Sequence, residues 1–331
     1  MKSSALCLTI AGAAFAAAAG GYHVKTKWQI GGEGGWDYLI ADSDARRLYV
    51  SHGTEVDVLD LDSGSVLGKI PDTPGVHGIA LAPELGKGFI SAGRANKVVI
   101  FDLKTLKATG EAQTGQNPDA IIYDPASKRV FAFNGRSGNA TAIDAAGGTV
   151  AGTIDLGGKP EFAAADGEGH VFVNMEDKST VVRIDSKNLS VMNQWPLAPC
   201  EEPSGMAIDR RHHRLFSGCH NKMMAVVDAE TGKVVATPAI GQGVDANAFD
   251  PGTQLAYSSN GDGTLTVVHE DSPDKFTIVE NAKTQRGART MALDLKTHNV
   301  FLSIAEFGAA PAGGGRPPIV PGSFGILVVE K

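Results

Sequence analysis

An aspartate recurs along this chain at nearly fixed spacing, and that recurrence constrains the fold more than any other feature. It closes the runs Val58-Leu59-Asp60, Ile100-Phe101-Asp102, Ala142-Ile143-Asp144, Arg183-Ile184-Asp185 and Val226-Val227-Asp228, at intervals of 41 to 43 residues. A second aspartate recurs out of phase with the first, as Asp42, Asp124, Asp166, Asp209, Asp250 and Asp294, with Ala82-Pro83 in the remaining slot. The clearest copy of the unit starts at Asn117. An apolar run from Ala120 to Tyr123 is broken by Asp124-Pro125, and a second run follows from Val130 to Phe133. Asn134-Gly135 turns the chain into a third run ending at Asp144, and a fourth spans Gly148 to Leu156. Short β-branched and aromatic runs divided by such dipeptides read as an antiparallel meander.

Copies start near Gly35, Val76, Asn117, Lys159, Glu202, Gly243 and Gly287. A four-stranded unit repeated seven times at this period predicts an all-β fold, a seven-bladed β-propeller of four-stranded antiparallel blades. The ends of the chain fit a closed ring. Lys25 to Ile30 reads as a fourth strand with no first three before it, and the last copy stops after three strands, near Ala288–Leu293, Asn299–Ile304 and Phe324–Glu330. The N-terminal strand is therefore expected to complete the C-terminal blade, removing two exposed sheet edges. Residues 20–331 then form a single domain.

The 331 residues are 42% hydrophobic and 20% charged, a globular balance. The formal net charge of −7 is spread over mixed acidic and basic residues, which argues against nucleic acid or an anionic membrane as partner. Residues 1–19 read as a secretory signal peptide: Lys2, an alanine-rich apolar stretch from Ala5 to Ala18, and small residues before Gly20. That stretch is short for a membrane span, and Cys7 lies inside it rather than at a lipoprotein anchor position. The expected mature protein is a periplasmic or secreted monomer with no membrane span.

The second strands read Leu48-Tyr49-Val50-Ser51, Val130-Phe131-Ala132-Phe133-Asn134, Val171-Phe172-Val173-Asn174 and Leu255-Ala256-Tyr257-Ser258-Ser259-Asn260. With the third strands ending in aspartate, the chain from about residue 24 to 331 resembles the YVTN-repeat propellers, of which the YncE-like proteins are the bacterial type. No copy is literally Tyr-Val-Thr-Asn. The resemblance implies an exported seven-bladed propeller. It implies no activity, because repeat residues build blades and such folds host unrelated functions.

Register also assigns the faces. Five residues before each first-strand aspartate slot lie Asp37, His77, Asp119, Glu161, Ser204, Asp245 and Arg289, which places them as a ring at the mouth of the central channel. Loops between second and third strands bring His52, Asn96, Arg136, Glu176-Asp177, His220-Asn221 and Asp262 to the same face, while Arg46-Arg47, Lys128-Arg129 and Arg210-Arg211 turn on the opposite one. One reading is a wet, polar loop face in which Arg289 and Arg136 pair with carboxylates. The other is a ligand or metal site at the mouth, built from Asp37, His77, Asp119, Glu161, Asp245, Arg289, Arg136 and His220, since convergent polar groups in a concavity mark a binding site. Clustered carboxylates raise one another's pKa or recruit a cation. His77, Asp119, Glu161 and Asp245 are the candidate metal ligands; with His220 they suit Zn, Mn, Fe or Cu, whereas carboxylates alone suit Ca. His212-His213 falls in an opposite-face turn and is expected to be solvated. The strand-end aspartates are expected to cap turns.

Loss of Cys7 with the signal leaves Cys200 and Cys219, both on the channel-mouth face of the fifth copy, where a disulfide suits an oxidising compartment. Metal ligation beside His220 is the competing reading. Covalent c-type haem is excluded, because no Cys-x-x-Cys-His occurs. Neither a Gly-x-Ser-x-Gly elbow nor a His-Glu-x-x-His motif is present. The Gly/Pro-rich stretch Ala305 to Ser323 is expected as a long irregular loop on the mouth face. Two function classes follow: a binding or interaction module for a small molecule, metal ion or periplasmic protein, or a metal-dependent hydrolase, lactonase or lyase working on the propeller axis.

Overall fold

The computed structural model describes residues 20–311, 313, 315 and 317–331, so the expected signal peptide lies outside the described residues. Seven four-stranded antiparallel sheets follow one another along the chain. Blade 1 comprises Leu39–Asp42, Arg47–His52, Glu55–Asp60 and Val66–Ile70. Blades 2 to 6 span residues 76–113, 118–155, 160–196, 203–236 and 244–283. Blade 7 takes Met291–Leu293, Val300–Ile304 and Gly325–Glu330 from the C-terminus and His23–Gln29 from the N-terminus. First strands pack on those of the next blade all the way round, blade 7 against blade 1 included. The seven-bladed propeller expected from the repeat is the observed fold.

The turns after the third strands of blades 1 to 3 are made by the residue type the repeat supplies. Asp60 accepts from the Ser63 amide, Asp102 from Thr105 and Asp144 from Gly147, so the periodic aspartate satisfies hairpin amides that no ladder reaches. The core is layered between blades. Tyr49, Val58 and Ile70 of blade 1 bury against Ile79, Ile90 and Phe101 of blade 2, and a comparable cluster fills each of the seven interfaces.

Closure is built as expected. His23–Gln29 pairs antiparallel with Gly325–Glu330, from His23 opposite Glu330 to Gln29 opposite Gly325. Trp28 packs on Phe301 of its own blade, with centroids 5.4 Å apart, and also against Gly64 of blade 1. Gly64 has φ +73°, and a Cβ there would fall 2.2 Å from the indole, so only glycine admits the contact. On the other side Tyr22 shares a 2.9 Å hydrogen bond with Tyr257 of blade 6. Cys200 and Cys219 are disulfide-bonded, with Cα atoms 5.6 Å apart, which answers the choice between a bridge and a thiolate ligand. Within the Ala305–Ser323 stretch, Phe307 and Ile319 form an isolated bridge, so the loop is pinned at its base.

Candidate functional site: the channel mouth

Each first strand enters the channel from a loop on the mouth face, and polar residues ending the second strands brace that entry. Ser51 accepts from the Asp37 amide at 2.8 Å, Ser91 accepts from Gly78 at 2.8 Å and bonds the Asp119 carbonyl, and Asn174 donates to the Ser204 carbonyl at 2.9 Å. Ser259 likewise donates to the Arg289 carbonyl. These braces escaped the sequence reading; their signal is the serine or asparagine next to last in these second strands.

The ring residues converge. His77 Nδ1 lies 2.6 Å from Asp37 Oδ2 and 3.6 Å from Asp119 Oδ1. One ligand-capable atom from each of Asp37, His77 and Asp119 lies within 4.8 Å of the others. Of the four expected metal ligands, His77 and Asp119 thus stand together, with Asp37 as their third partner. Glu161 pairs instead with Lys159 at 2.7 Å, and Lys159 also contacts Glu176. Asp245 accepts from Ser204 at 3.2 Å, and Arg289 Nε comes within 3.2 Å of its Oδ2, which is buried and accepts no aligned hydrogen bond among the described residues. His220, at the exposed rim, meets Glu202 at 3.1 Å. Arg136 uses its backbone amide to bond Gln116 and forms no ion pair among the described residues. The pairing expected of Arg289 is therefore present, and that of Arg136 is not.

Beneath the ring the channel is narrowed by aromatic side chains. Tyr38 and Phe162, from blades 1 and 4, meet across the axis with centroids 4.4 Å apart. The mouth is consequently a cup with an aromatic floor, and its charges sit in a poorly hydrated place. Burial pushes the Tyr38 phenol well above its usual pKa, reinforced by Asp119, Asp37, Glu161 and Asp245 from four different blades. Burial, then the negative charge of Asp119, raises Glu161 to about 8. Burial and the Asp37 charge raise Asp119 to about 6. Burial alone would lower His77, but its hydrogen bond to Asp37 and the charges of Asp119, Asp37 and Glu161 outweigh that and hold it at about 9. The mouth therefore holds an imidazolium clamped by carboxylates, while burial and the Asp119 charge favour the protonated form of Glu161 against the pull of Lys159.

Beside the cup opens a cleft of about 1090 Å³, reached through Arg289 and roofed by the base of the Gly/Pro-rich loop. Trp36, Phe307 and Ile319 supply its apolar wall, Arg286 and Glu306 its charges. Trp36 and Phe307 stand 6.1 Å apart, centroid to centroid. The expectation that this loop emerges on the mouth face is met.

His212 departs from expectation. It is not simply solvated in its turn: its Nδ1 lies 2.7 Å from Asp209 and 3.0 Å from Glu270 of the next blade. Among the described residues, no helix is long and apolar enough to cross a membrane.

Comparison with known proteins supports the architecture and nothing finer. No family model matches the chain, and no curated protein matches it either. Among solved structures it is similar to the WD40 repeats of RRP9, with a TM-score of 0.77 at 10% identity over 93% of this chain and 97% of that one. It is similar to U3-55K, with a TM-score of 0.76 at 10% identity over 92% and 98%. A third likeness is to the hydrazine synthase of Kuenenia stuttgartiensis, with a TM-score of 0.71 at 14% identity over 85% and 94%. At such identities the likeness concerns the fold alone. The chain is a WD40-like seven-bladed β-propeller, and its resemblance to YVTN-repeat proteins gains no support from a family model.

Proposed function

We propose that this chain is an exported binding module whose channel-mouth cup takes a cation, either a divalent metal ion or the cationic group of a small molecule. The observation that carries this reading is the convergence of Asp37, Asp119, Glu161 and Asp245 from four blades onto one cup, with a buried oxygen of Asp245 left without a hydrogen bond among the described residues. Such a cluster stores protons that an incoming cation would displace. Asp37, His77 and Asp119 offer one nitrogen and two oxygens to a metal of the Zn or Mn type, and the neighbouring aromatic cleft offers room for the body of a larger ligand. The Cys200–Cys219 disulfide is compatible with export. Titration of the protein with Zn2+, Mn2+ and a panel of ammonium compounds tests the reading: binding should release protons, and Asp119→Asn should lose one bound equivalent, whereas uptake unchanged in that variant would refute it.

A hydrolytic reading draws on a separate observation, that Glu161 and Asp119 are pushed to different values, about 8 and about 6. Two carboxyls so separated can serve as acid and base on a metal-bound substrate. Turnover of lactones or esters with limbs near those values, lost in Glu161→Gln, would establish it; binding without turnover would leave the module.

A further inference from the structure

Blades 1 to 5 use the residue after their third strand to close the hairpin on the face opposite the mouth. In blades 1 to 5 these residues are Leu61, Leu103, Ala145, Ser186 and Ala229, and their amides each bond the carbonyl of a residue in the same blade's first hairpin. The sixth blade makes the same backbone bond, Glu270 N to Gln254 O at 2.9 Å, but puts a glutamate there. Where blade 4 offers Ser186 to the Asp124 carboxylate of blade 3 at 2.5 Å, blade 6 points Glu270 at Asp209 of blade 5. Carboxylate thus faces carboxylate in a slot that blades 1 to 5 fill with a hydroxyl or an apolar group.

The surroundings do not neutralise this pair. The Glu270 side chain is 0% exposed, that of Asp209 3% and that of His212 21%, so the group is closed on the protein side and reachable past the imidazole. Glu270 Oε1 and Asp209 Oδ2 both face His212 Nδ1, and Glu270 Oε2 has no hydrogen-bond partner among the described residues. Among the described residues no lysine or arginine comes within ion-pair distance of either carboxylate. Arg214, which donates to the His212 carbonyl, is committed to Asp228 at 2.8 Å and Asp274 at 3.1 Å. The contrast with His52, Glu55 and Asp57 is instructive, because there Lys69 already occupies the carboxylates.

We infer that Asp209, His212 and Glu270 form a divalent-metal site between blades 5 and 6, on the face opposite the channel mouth. One nitrogen and carboxylate oxygens whose ligand atoms fall within 4.8 Å of each other suit a Zn2+ or Mn2+ ion, with water completing its shell from the His212 side. Bound there, the ion ties two blades together, so it acts as a staple on the ring. This site is independent of the channel mouth.

The test is metal uptake by chelator-stripped protein, read as bound Zn2+ or Mn2+ after gel filtration and as the shift in unfolding temperature on adding either ion at pH 7.5. Glu270→Ala should fold, because blades 3 and 5 carry alanine in this slot, and Glu270→Gln keeps the side-chain shape. Both variants should lose one equivalent and its thermal shift, with affinity falling by more than about 100-fold, the upper range carried even by outer-shell partners. Asp119→Asn at the mouth should keep this equivalent. Equal uptake by wild type and Glu270→Gln would overturn the inference. So would wild-type protein that takes up no equivalent sensitive to Glu270, since the carboxyls would then share a proton.

Discussion

Tyr38 and Phe162 lie 124 positions apart in sequence yet meet across the channel as tilted rings with centroids 4.4 Å apart, joining blades 1 and 4, which share no interface. This contact turns a channel into a cup. Above this floor, burial leads the causes that raise Asp119 and Glu161.

A double-mutant cycle on this pair should find coupling. Phe162→Ala is expected to cost about 2–3 kcal/mol, less than a fully buried phenylalanine because the ring is half-buried. The coupling with Tyr38→Ala should be about 1 kcal/mol. Additive losses in urea unfolding would mean that the rings do not support each other.

Ring closure rests on a single strand with neighbours on both sides. Trp28→Ala should lower stability by about 3 kcal/mol, since it empties the seam between blades 7 and 1. Protein beginning at Gly31 should expose the Gly325–Glu330 edge and aggregate in gel filtration. A monomer of unchanged unfolding temperature would contradict the seam.

The Cys200–Cys219 bridge closes a loop with a sequence separation of 19 residues, worth about 3 kcal/mol in the chain-entropy account. Peptide mapping without reduction should recover the two half-cystines linked, and Cys219→Ala should destabilise by that order. Two free thiols in exported protein would refute the bridge.

The mouth makes stability depend on pH. Asp119 and Glu161 have folded values above ordinary carboxyls, about 6 and about 8, and His77 is raised to about 9. All three bind more protons folded than unfolded, so their contribution is full at low pH and is lost as pH rises through these values. Stripped protein should therefore lose unfolding temperature between about pH 5 and pH 9, and Glu161→Gln should flatten the part near pH 8. A cation bound at the mouth should reverse the trend. A rise in stability across this range in stripped wild-type protein would contradict the charge arrangement.

Much of this was legible in the sequence, for physical reasons. Turn chemistry repeats wherever a hairpin must be closed, so Asp60, Asp102 and Asp144 announce the blades. Because blades share one register, counting back from the first-strand aspartates finds the residues of the mouth without knowing any contact. The aromatic floor was not legible, because Tyr38 and Phe162 each follow a ring residue in copies that meet only once the ring closes. Which carboxylate pairs with which cation was hidden too, since Lys159 lies outside the ring slot yet takes Glu161. His212 was misjudged because its turn looks solvent-facing within its own blade, and its partner Glu270 comes from the next one. The available signal was Glu270 itself, a charge in a slot that five other copies fill with leucine, alanine or serine.

The central claim is that the mouth ring acts as one binding site, and calorimetric titration tests it most directly. Protein carrying Glu270→Ala, which removes the second candidate metal site, is stripped and titrated at pH 7.5 with Zn2+, Mn2+ and the ammonium panel in two buffers of different ionisation heat. The account predicts one binding event coupled to proton release, abolished by adding Asp119→Asn or His77→Ala and left intact by adding Arg210→Ala on the opposite face. No binding by any of these cations, or binding that survives loss of both Asp119 and His77, would contradict it.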